Sequence, residues 1–252
     1  MKILILGASD SEGTLLANFA DSWREQLRTR LPALISEEVE IDHRRFYIHV
    51  AGGVEYFERA LSESRPDFVI MGCTGYAFST ASVGNRLRRL FGRRFGTWAE
   101  RRSAAFDRLT ETDVGTRKER LNYGFHWLAG KTVGRDSVST YDAVLGGYRR
   151  CIEQLARTED LDAIIMGTTY NGPRVQRRLP YLRALVDRFN RDLKGVAEAH
   201  RFGWMDRQAL IGTLPEEVAR PDQMHTGPEI HAIYAAALLE LVTARRIGRA
   251  KP

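Results

Sequence analysis

Two short stretches at opposite ends of the chain carry residues whose types and spacing suit acyl-transfer chemistry. Ser9 follows Gly7 and Ala8 directly after an apolar run near the start of the chain. Asp222 and His225 are separated by two residues, in a loop bounded by proline and glycine near the other end. A serine hydroxyl is a weak nucleophile that needs a base, and a histidine base needs a carboxylate to fix its tautomer. These residues would supply a nucleophile, a general base and an orienting carboxylate.

A buried strand is the element that positions Ser9. Ile3 to Leu6 form an apolar run that is too short for a helix and is typical of a strand buried on both faces. Apolar residues then recur at helical spacing: Leu15, Leu16, Phe19 and Trp23. This pattern predicts a strand, a turn and a helix that begins soon after Gly13. We expect Ser9 at the apex of the turn, and Ser11 in the first helical turn, where it would suit capping.

The turn after this strand is open to three interpretations. Gly7 and Gly13 half resemble the glycine-rich loop of a dinucleotide-binding reductase, but Asp10 stands where the middle glycine is expected and no Tyr-x-x-x-Lys follows. The turn could instead present a nucleophilic serine, or it could be a tight connection without chemistry. The turn alone does not decide between them.

Strand and helix patterns alternate along most of the chain. The further strands are predicted at Arg45 to Val50, Pro66 to Met71, Asp162 to Met166 and Phe202 to Met205. Long helical patterns run from about Leu179 to His200 and from about Pro228 to Arg245. This alternation predicts a three-layer α/β fold with a five-stranded parallel sheet and helices on both faces. Ligands bind such sheets at the carboxyl ends of the strands.

The span from 84 to 150 does not fit the alternation. It is rich in glycine, arginine and aromatic residues and has no clear buried strand. We expect it to be a helical cap or lid inserted within a single domain of residues 1–252. Its basic part could bind nucleic acid, an anionic substrate or a membrane surface. A solvated arginine-rich helix face is the interpretation that we favour, and we expect no nucleic-acid partner. The arginines concerned are Arg86, Arg88, Arg89, Arg93, Arg94, Arg101 and Arg102.

Composition is that of an ordinary globular protein. The chain has 252 residues, 43% of them hydrophobic, and a formal net charge of +6. No stretch is long enough for a membrane span, and the first apolar run is too short for a signal peptide. Cys73 and Cys151 are the only cysteines, which suits a reducing compartment. We therefore expect a cytoplasmic protein, and nothing in the sequence predicts a cofactor or a metal.

Taken together, the motifs resemble the blocks of the SGNH/GDSL hydrolase family, a flavodoxin-like set of serine esterases, lipases, thioesterases and carbohydrate deacetylases. The likeness covers nearly all of the chain except 84–150. The first block is similar to Gly7-Ala8-Ser9 with Gly13, the second to Gly52 or Gly53, and the last to Asp222-x-x-His225 before the final helix.

The resemblance implies roles for the site residues. Ser9 would be the nucleophile, His225 the base and Asp222 its partner in a catalytic triad. The backbone N–H groups of Ser9 and of Gly52 or Gly53 would form an oxyanion hole, with Thr74 or Asn171 as its third donor.

Two blocks depart from the family pattern, the first at Ala8 and the third, whose Gly-x-Asn-Asp reads Gly72-Cys73-Thr74-Gly75 here. Ala8 replaces the aspartate of the first block, and Thr74 replaces an asparagine of the third. Losing one oxyanion donor costs about 2.7–4 kcal/mol of transition-state stabilisation.

The implied activity is cleavage of a carboxylic ester, an acyl or acetyl ester of a small molecule or carbohydrate, through an acyl-enzyme. The basic and aromatic residues of the insertion predict an anionic or aromatic substrate. One alternative is an aspartate/glutamate racemase or decarboxylase that uses Cys73, although Thr168 stands where that group has its second cysteine. The other is a ligand-binding relative without catalysis.

Overall fold

The computed structural model describes residues 1–14, 16–79, 81–92, 94–95, 97, 136–170, 181–221 and 225–249. Its main sheet has five parallel strands in the order β2-β1-β3-β6-β7. These are β1 (Lys2–Gly7), β2 (Glu40–Arg45), β3 (Phe68–Gly72), β6 (Asp162–Met166) and β7 (Gly203–Met205). A separate antiparallel hairpin consists of β4 (Ala81–Ser82) and β5 (Asp136–Ser137).

The helices of the described ranges lie between the strands or after the last strand, β7. They are α1 (Trp23–Ile35), α2 (Gly53–Ser64), α3 (Tyr76–Ser79), α4 (Val83–Phe91), α5 (Tyr141–Ala156), α6 (Leu182–Ala199), α7 (Arg207–Ile211), α8 (Glu216–Ala219) and α9 (Pro228–Arg249). Two short 3-10 helices, Ser9–Glu12 and Phe19–Asp21, lie between β1 and α1. None of the helices in the described ranges combines the length and the apolar composition that a membrane crossing requires.

The apolar runs of β1, β3 and β6 form the buried centre of the sheet. Ile3 and Ile5 belong to one core cluster with Trp23 of α1 and Leu238 of α9. Leu4 is fully buried as well and faces the other side, because side chains alternate along a strand. Burial on both faces is what the continuous apolar runs predicted, and the five-stranded parallel sheet is confirmed.

The edge strand β2 lies earlier than predicted. It occupies Glu40–Arg45, so the strand expected at Arg45 to Val50 is wrong. All of its residues except Ile41 are polar, none is fully buried, and Arg44 forms ion pairs with Asp42 and with Glu63 of α2. A strand at the edge of a sheet needs no apolar run, because charged side chains protect its open side. The sequence of β2 therefore has little hydrophobic periodicity from which the strand could be predicted.

The first helix starts later than predicted. The sequence pattern placed it soon after Gly13, whereas α1 begins at Trp23. Gly13 has a positive φ of 69°, which favours glycine and interrupts any helix at that point. The true start is marked by Ser22, whose side chain accepts a hydrogen bond from the N–H of Glu25 at 3.2 Å.

The chain divides into two compact units. The first consists of Met1–Gly75 and Asp142–Pro252 and contains the main sheet; the second is Tyr76–Tyr141 and contains α3, α4 and the β4–β5 hairpin. The predicted insertion at 84–150 overlaps the second unit as far as Tyr141, whereas residues 142–150 lie in α5 of the first unit. Its role as a cap stays a prediction.

Candidate active site

The turn after β1 lies at the carboxyl edge of the main sheet. β1 ends at Gly7, and Ser9 begins the 3-10 helix Ser9–Glu12. Because β1 is paired with β2 on one side and β3 on the other, the turn has a strand end on each flank. The backbone of the predicted nucleophile is thus at the position that open α/β sheets use for ligands. The side chain of Ser9 lies outside the described part of the structure.

The side chain of Ser11 lies inside this turn and stabilises it. Its side chain is buried, and its hydroxyl donates to the carbonyl of Ala8 at 2.7 Å. The Ser11 N–H donates to the same carbonyl at 2.9 Å. Gly7 makes room for this arrangement, since a Cβ there would lie 2.4 Å from the Ser11 Oγ. The expectation that Ser11 caps a helix is therefore wrong, because its side chain stabilises the turn instead.

His43 of β2 is a residue that the sequence analysis missed. Its Nε2 lies 2.8 Å from the Ser11 Oγ. Burial, together with the positive charge of Arg24, lowers the pKa of His43 to about 4. No sequence signal pointed to it, since β2 has no apolar pattern and the pair spans 32 positions.

The two glycines predicted as oxyanion donors lie where the loop after β2 meets the start of α2. Gly52 precedes α2 with a positive φ of 77°. The Gly53 N–H donates to the carbonyl of Val50 at 2.9 Å. A Cβ at Gly53 would lie 2.7 Å from the Ile48 carbonyl oxygen, so the backbone approach there requires glycine. Because the Gly53 N–H is engaged within the turn, Gly52 suits the donor role better.

The loop after β3 is fixed by a buried tyrosine of α5. The N–H of Thr74 donates to the hydroxyl oxygen of Tyr148 at 2.9 Å. The Tyr148 ring is fully buried and makes edge-to-face contacts with Phe46 and Phe189, with ring centroids 6.1 Å and 6.0 Å away. Burial raises the pKa of Tyr148, so its hydroxyl stays protonated. Tyr148 thereby ties together the loops after β2 and β3 and helix α6.

The loop after β6 is fixed by an amide side chain of α6. The Thr168 N–H donates to Oδ1 of Asn190 at 2.9 Å, and Nδ2 of Asn190 donates back to the Thr168 carbonyl at 2.8 Å. The Thr168 hydroxyl accepts the N–H of Gly75 at 2.9 Å. The ends of β3 and β6 are thus joined by side-chain hydrogen bonds.

Arg207 is a buried cationic side chain that binds the backbone at the ends of β3 and β6. It is 7% exposed, and its guanidinium donates to the carbonyls of Gly167 at 2.5 Å and Cys73 at 2.6 Å. Cys73 itself is fully buried, and burial raises the pKa of its thiol well above the ordinary value. A buried, protonated thiol is a poor acid/base catalyst.

The loop that carries His225 is anchored to the start of α1. The Trp23 N–H donates to Nδ1 of His231 at 3.3 Å, so the proton of the neutral ring lies on Nε2. That Nε2 is 3.3 Å from the hydroxyl of the buried Thr226. The Gly227 N–H donates to the carbonyl of Ala219 at 3.0 Å. These contacts fix the backbone directly after His225.

The turns that carry Ser9, Gly52 and Thr74 therefore lie at one edge of the main sheet. The turns of Ser9, Gly52 and Thr74 follow three adjacent strands, and His225 precedes α9, which packs along α1. Asp222 and Asn171 lie outside the described residues. Within the described ranges, no group of three or more histidine, cysteine, aspartate or glutamate side chains could hold a metal ion.

Comparison with known proteins places the chain by its fold. No protein-family model and no curated protein matches the sequence. Among solved structures, Axe2, an acetylxylan esterase from Geobacillus stearothermophilus, is similar with a TM-score of 0.55 and 15% identity, over 96% of this chain and 93% of that one. TesA is similar with a TM-score of 0.54 and 12% identity, over 96% and 98%. The chain shares the fold of these structures, and the predicted flavodoxin-like α/β fold is confirmed.

Proposed function

We propose that this chain is a serine hydrolase that cleaves a carboxylic ester through an acyl-enzyme. The observation that carries the proposal is the position of Ser9, in the turn at the carboxyl end of β1. The chain just after His225 is tied through His231 to the start of α1, the next long helix after this turn. The Axe2 structures support it: catalytic mutants of that esterase are described at a serine, an aspartate and a histidine. That aspartate and histidine have the same spacing as Asp222 and His225.

In the proposed mechanism, the Ser9 hydroxyl attacks the ester carbonyl while His225 takes its proton. Asp222 holds the imidazole in the required tautomer and stabilises the imidazolium. His225 then gives the proton to the departing alcohol, and the acyl group remains on Ser9. A water molecule attacks the acyl-enzyme with His225 as base, which releases the acid and restores the Ser9 hydroxyl.

The oxyanion of each tetrahedral intermediate is received by backbone donors. We assign the N–H groups of Ser9 and Gly52 to this task, since the N–H of Gly53 is already bonded to Val50. The third donor is the hydroxyl of Thr74 or the amide of Asn171. Thr74 contributes through its side chain, because its N–H is bonded to Tyr148. Such donors act strongly because they are fixed before the reaction begins.

The substrate class that we propose is an acyl or acetyl ester of a small molecule or carbohydrate with an anionic or aromatic part. In support, α4 combines exposed basic and apolar side chains, including Arg88, Arg89, Leu90 and Phe91. A kinetic comparison of neutral and anionic esters of equal chain length tests this preference. Equal values of kcat/KM would contradict it.

A fluorophosphonate probe tests the proposal directly. We expect a covalent adduct that peptide mass spectrometry maps to Ser9, and loss of both labelling and esterase activity in Ser9→Ala. Ser62→Ala is the matched control, because Ser62 is exposed on α2 and bonds only locally, to the Arg59 carbonyl at 3.1 Å. An adduct on Ser11, or a Ser9→Ala enzyme with full activity, would refute the mechanism. A wild-type protein that takes no label and hydrolyses no ester would favour the ligand-binding relative.

The buried thiol argues against the racemase or decarboxylase alternative. That chemistry needs an accessible Cys73 that exchanges a proton, whereas burial keeps this thiol protonated and away from solvent. The chain is better explained as an esterase in which Cys73 packs beneath the site.

A further inference from the structure

The hydrogen bonds around Ser11 determine where two protons lie. A carbonyl oxygen only accepts hydrogen bonds, so the single hydroxyl proton of Ser11 points to Ala8, 2.7 Å away. The contact of 2.8 Å with His43 must then run the other way, with Nε2–H of His43 donating to the Ser11 oxygen. The neutral ring of His43 therefore has its proton on Nε2.

Neither residue of this pair is arranged to act as nucleophile or base. A histidine that donates to a serine does not accept the proton of that serine. The Ser11 side chain is also only 3% exposed, so a substrate carbonyl has no access to it. Burial keeps the histidine neutral: together with the positive charges of Arg24 and Arg45 it lowers the pKa of His43 to about 4, against the opposing carboxylates of Glu12 and Asp42. The pair needs another explanation.

The carbonyl that the pair holds belongs to the peptide unit of Ser9. The Ala8 C=O and the Ser9 N–H are part of one planar trans peptide and point in opposite directions. Two donors from Ser11, its N–H at 2.9 Å and its hydroxyl at 2.7 Å, fix the oxygen side of this unit. The direction of the Ser9 N–H is fixed with it. Hydrogen bonds to a carbonyl also polarise the peptide and strengthen its N–H as a donor.

We infer that Ser11 and His43 form a positioning clamp that aims and strengthens the Ser9 N–H as an oxyanion donor. This inference rests on the proposed role of Ser9. His43 orients the Ser11 hydroxyl, Ser11 holds the Ala8 carbonyl, and the peptide transmits that constraint to the reacting centre. The clamp explains why Gly7 lacks a side chain, since a Cβ there would collide with the Ser11 hydroxyl.

Kinetics of four variants test the clamp on the catalytic side. Ser11→Ala and His43→Leu should lower kcat by roughly 10- to 100-fold, a part of the 10²–10³ that removal of a whole oxyanion donor costs. KM should change little, because the ground-state ester carries no oxyanion. His43→Gln should keep most of the activity, since its amide N–H can replace Nε2–H. The double variant Ser11→Ala/His43→Leu should be no slower than Ser11→Ala alone, because the pair acts as a unit.

Controls separate positioning from stability. Ser62→Ala should leave kcat unchanged, and urea unfolding should show that each variant is folded under the assay conditions. A His43→Leu enzyme that is folded and has the wild-type kcat would overturn the inference. So would a His43→Gln enzyme as slow as His43→Leu, because the donor would then be irrelevant.

A second measurement does not depend on activity. Nitrogen chemical shifts of the His43 ring should report a neutral imidazole protonated on Nε2, and the Ser11 amide should exchange with solvent more slowly in the wild type than in His43→Leu. A ring protonated on Nδ1, or equal exchange rates, would overturn the clamp even if Ser9 is the nucleophile. If the wild type takes no fluorophosphonate but shows these two signatures, the proposed function fails and the clamp stands as a feature of the turn.

Discussion

At the scale of single residues, Tyr148 illustrates how a hydroxyl group can fix backbone that has no regular structure. Tyr148→Phe keeps the ring contacts with Phe46 and Phe189 but removes the acceptor of the Thr74 N–H. We expect the free energy of unfolding to fall by about 1–3 kcal/mol, the cost of leaving this partly buried backbone donor unsatisfied. Urea denaturation measures this. Tyr56→Phe on α2, where the ring is only half-buried, is the control and should stay within about 0.5 kcal/mol of the wild type.

The pH dependence of stability isolates His43. Its pKa is lowered from 6.5 to about 4 in the folded chain. As the pH falls through this window, the unfolded chain binds a proton that the folded chain does not, so the free energy of unfolding decreases. His43→Gln has no titratable group at this position, so its free energy of unfolding should lack this part of the pH dependence. The difference in unfolding free energy between the wild type and His43→Gln should therefore become smaller as the pH falls. Urea titrations above and below the window measure it. A constant difference between the two proteins would show that His43 titrates normally.

Which site residues the sequence could reveal depends on how local their signal is. Ser9 and the pair of Asp222 and His225 stand in short motifs next to predicted elements, so spacing alone identified them as candidates. His43 and Tyr148 act through partners 32 and 74 positions away, and only the tertiary fold brings those partners into contact. Local sequence patterns carry no signal for pairs so far apart in the chain.

At the scale of elements, α5 packs against the loop between β2 and α2 through one glycine. A Cβ at Gly147 would lie 2.5 Å from a side-chain carbon of Ile48, whereas at Gly146 it would meet nothing within 4 Å. Gly146→Ala should therefore stabilise the protein by about 0.5–1 kcal/mol through helix propensity. Gly147→Ala should destabilise it, because Ile48 must move and the adjacent turn with it. Unfolding midpoints compare the two, and Ile48→Ala should partly rescue Gly147→Ala.

The predicted elements succeeded where hydrophobic burial dominates. β1, β3 and β6 are buried on both faces, and their apolar runs gave their positions to within two residues. β2 and the start of α1 were misplaced. Ion pairs stabilise β2, and polar caps set the start of α1, so neither depends on apolar periodicity.

At the scale of the whole molecule, an ion pair joins the last helix to the middle of the chain. Arg245 of α9 binds Asp162, whose side chain is 5% exposed, with a shortest distance of 2.6 Å, and it also donates to the Arg201 carbonyl. Arg245→Leu leaves the buried carboxylate without this cation, which should cost about 3–5 kcal/mol of unfolding free energy. The exposed pair of Arg28 and Glu25 is the control, where Arg28→Leu should cost at most about 0.5 kcal/mol.

A double variant that removes both charges shows why Arg245→Leu destabilises the protein. The cause is either an unpaired buried carboxylate or the loss of packing contacts. Asp162→Asn/Arg245→Leu should be more stable than Arg245→Leu alone, since the buried charge is then absent. If the double variant is less stable than Arg245→Leu, the two side chains stabilise the protein mainly through their packing contacts.

The strand order has a consequence for how the protein is assembled during synthesis. β2, β1 and β3 are encoded in the first 72 residues, and their mutual pairing needs nothing that follows. β6, which completes the other side of β3, emerges only after the whole of Tyr76–Tyr141 and α5. Until β6 has been synthesised, β3 therefore lacks its partner on that side. Cys73 follows β3 directly and its N–H donates to the carbonyl of Met166 in β6, so the cover that buries this thiol in the folded protein is incomplete until β6 is made.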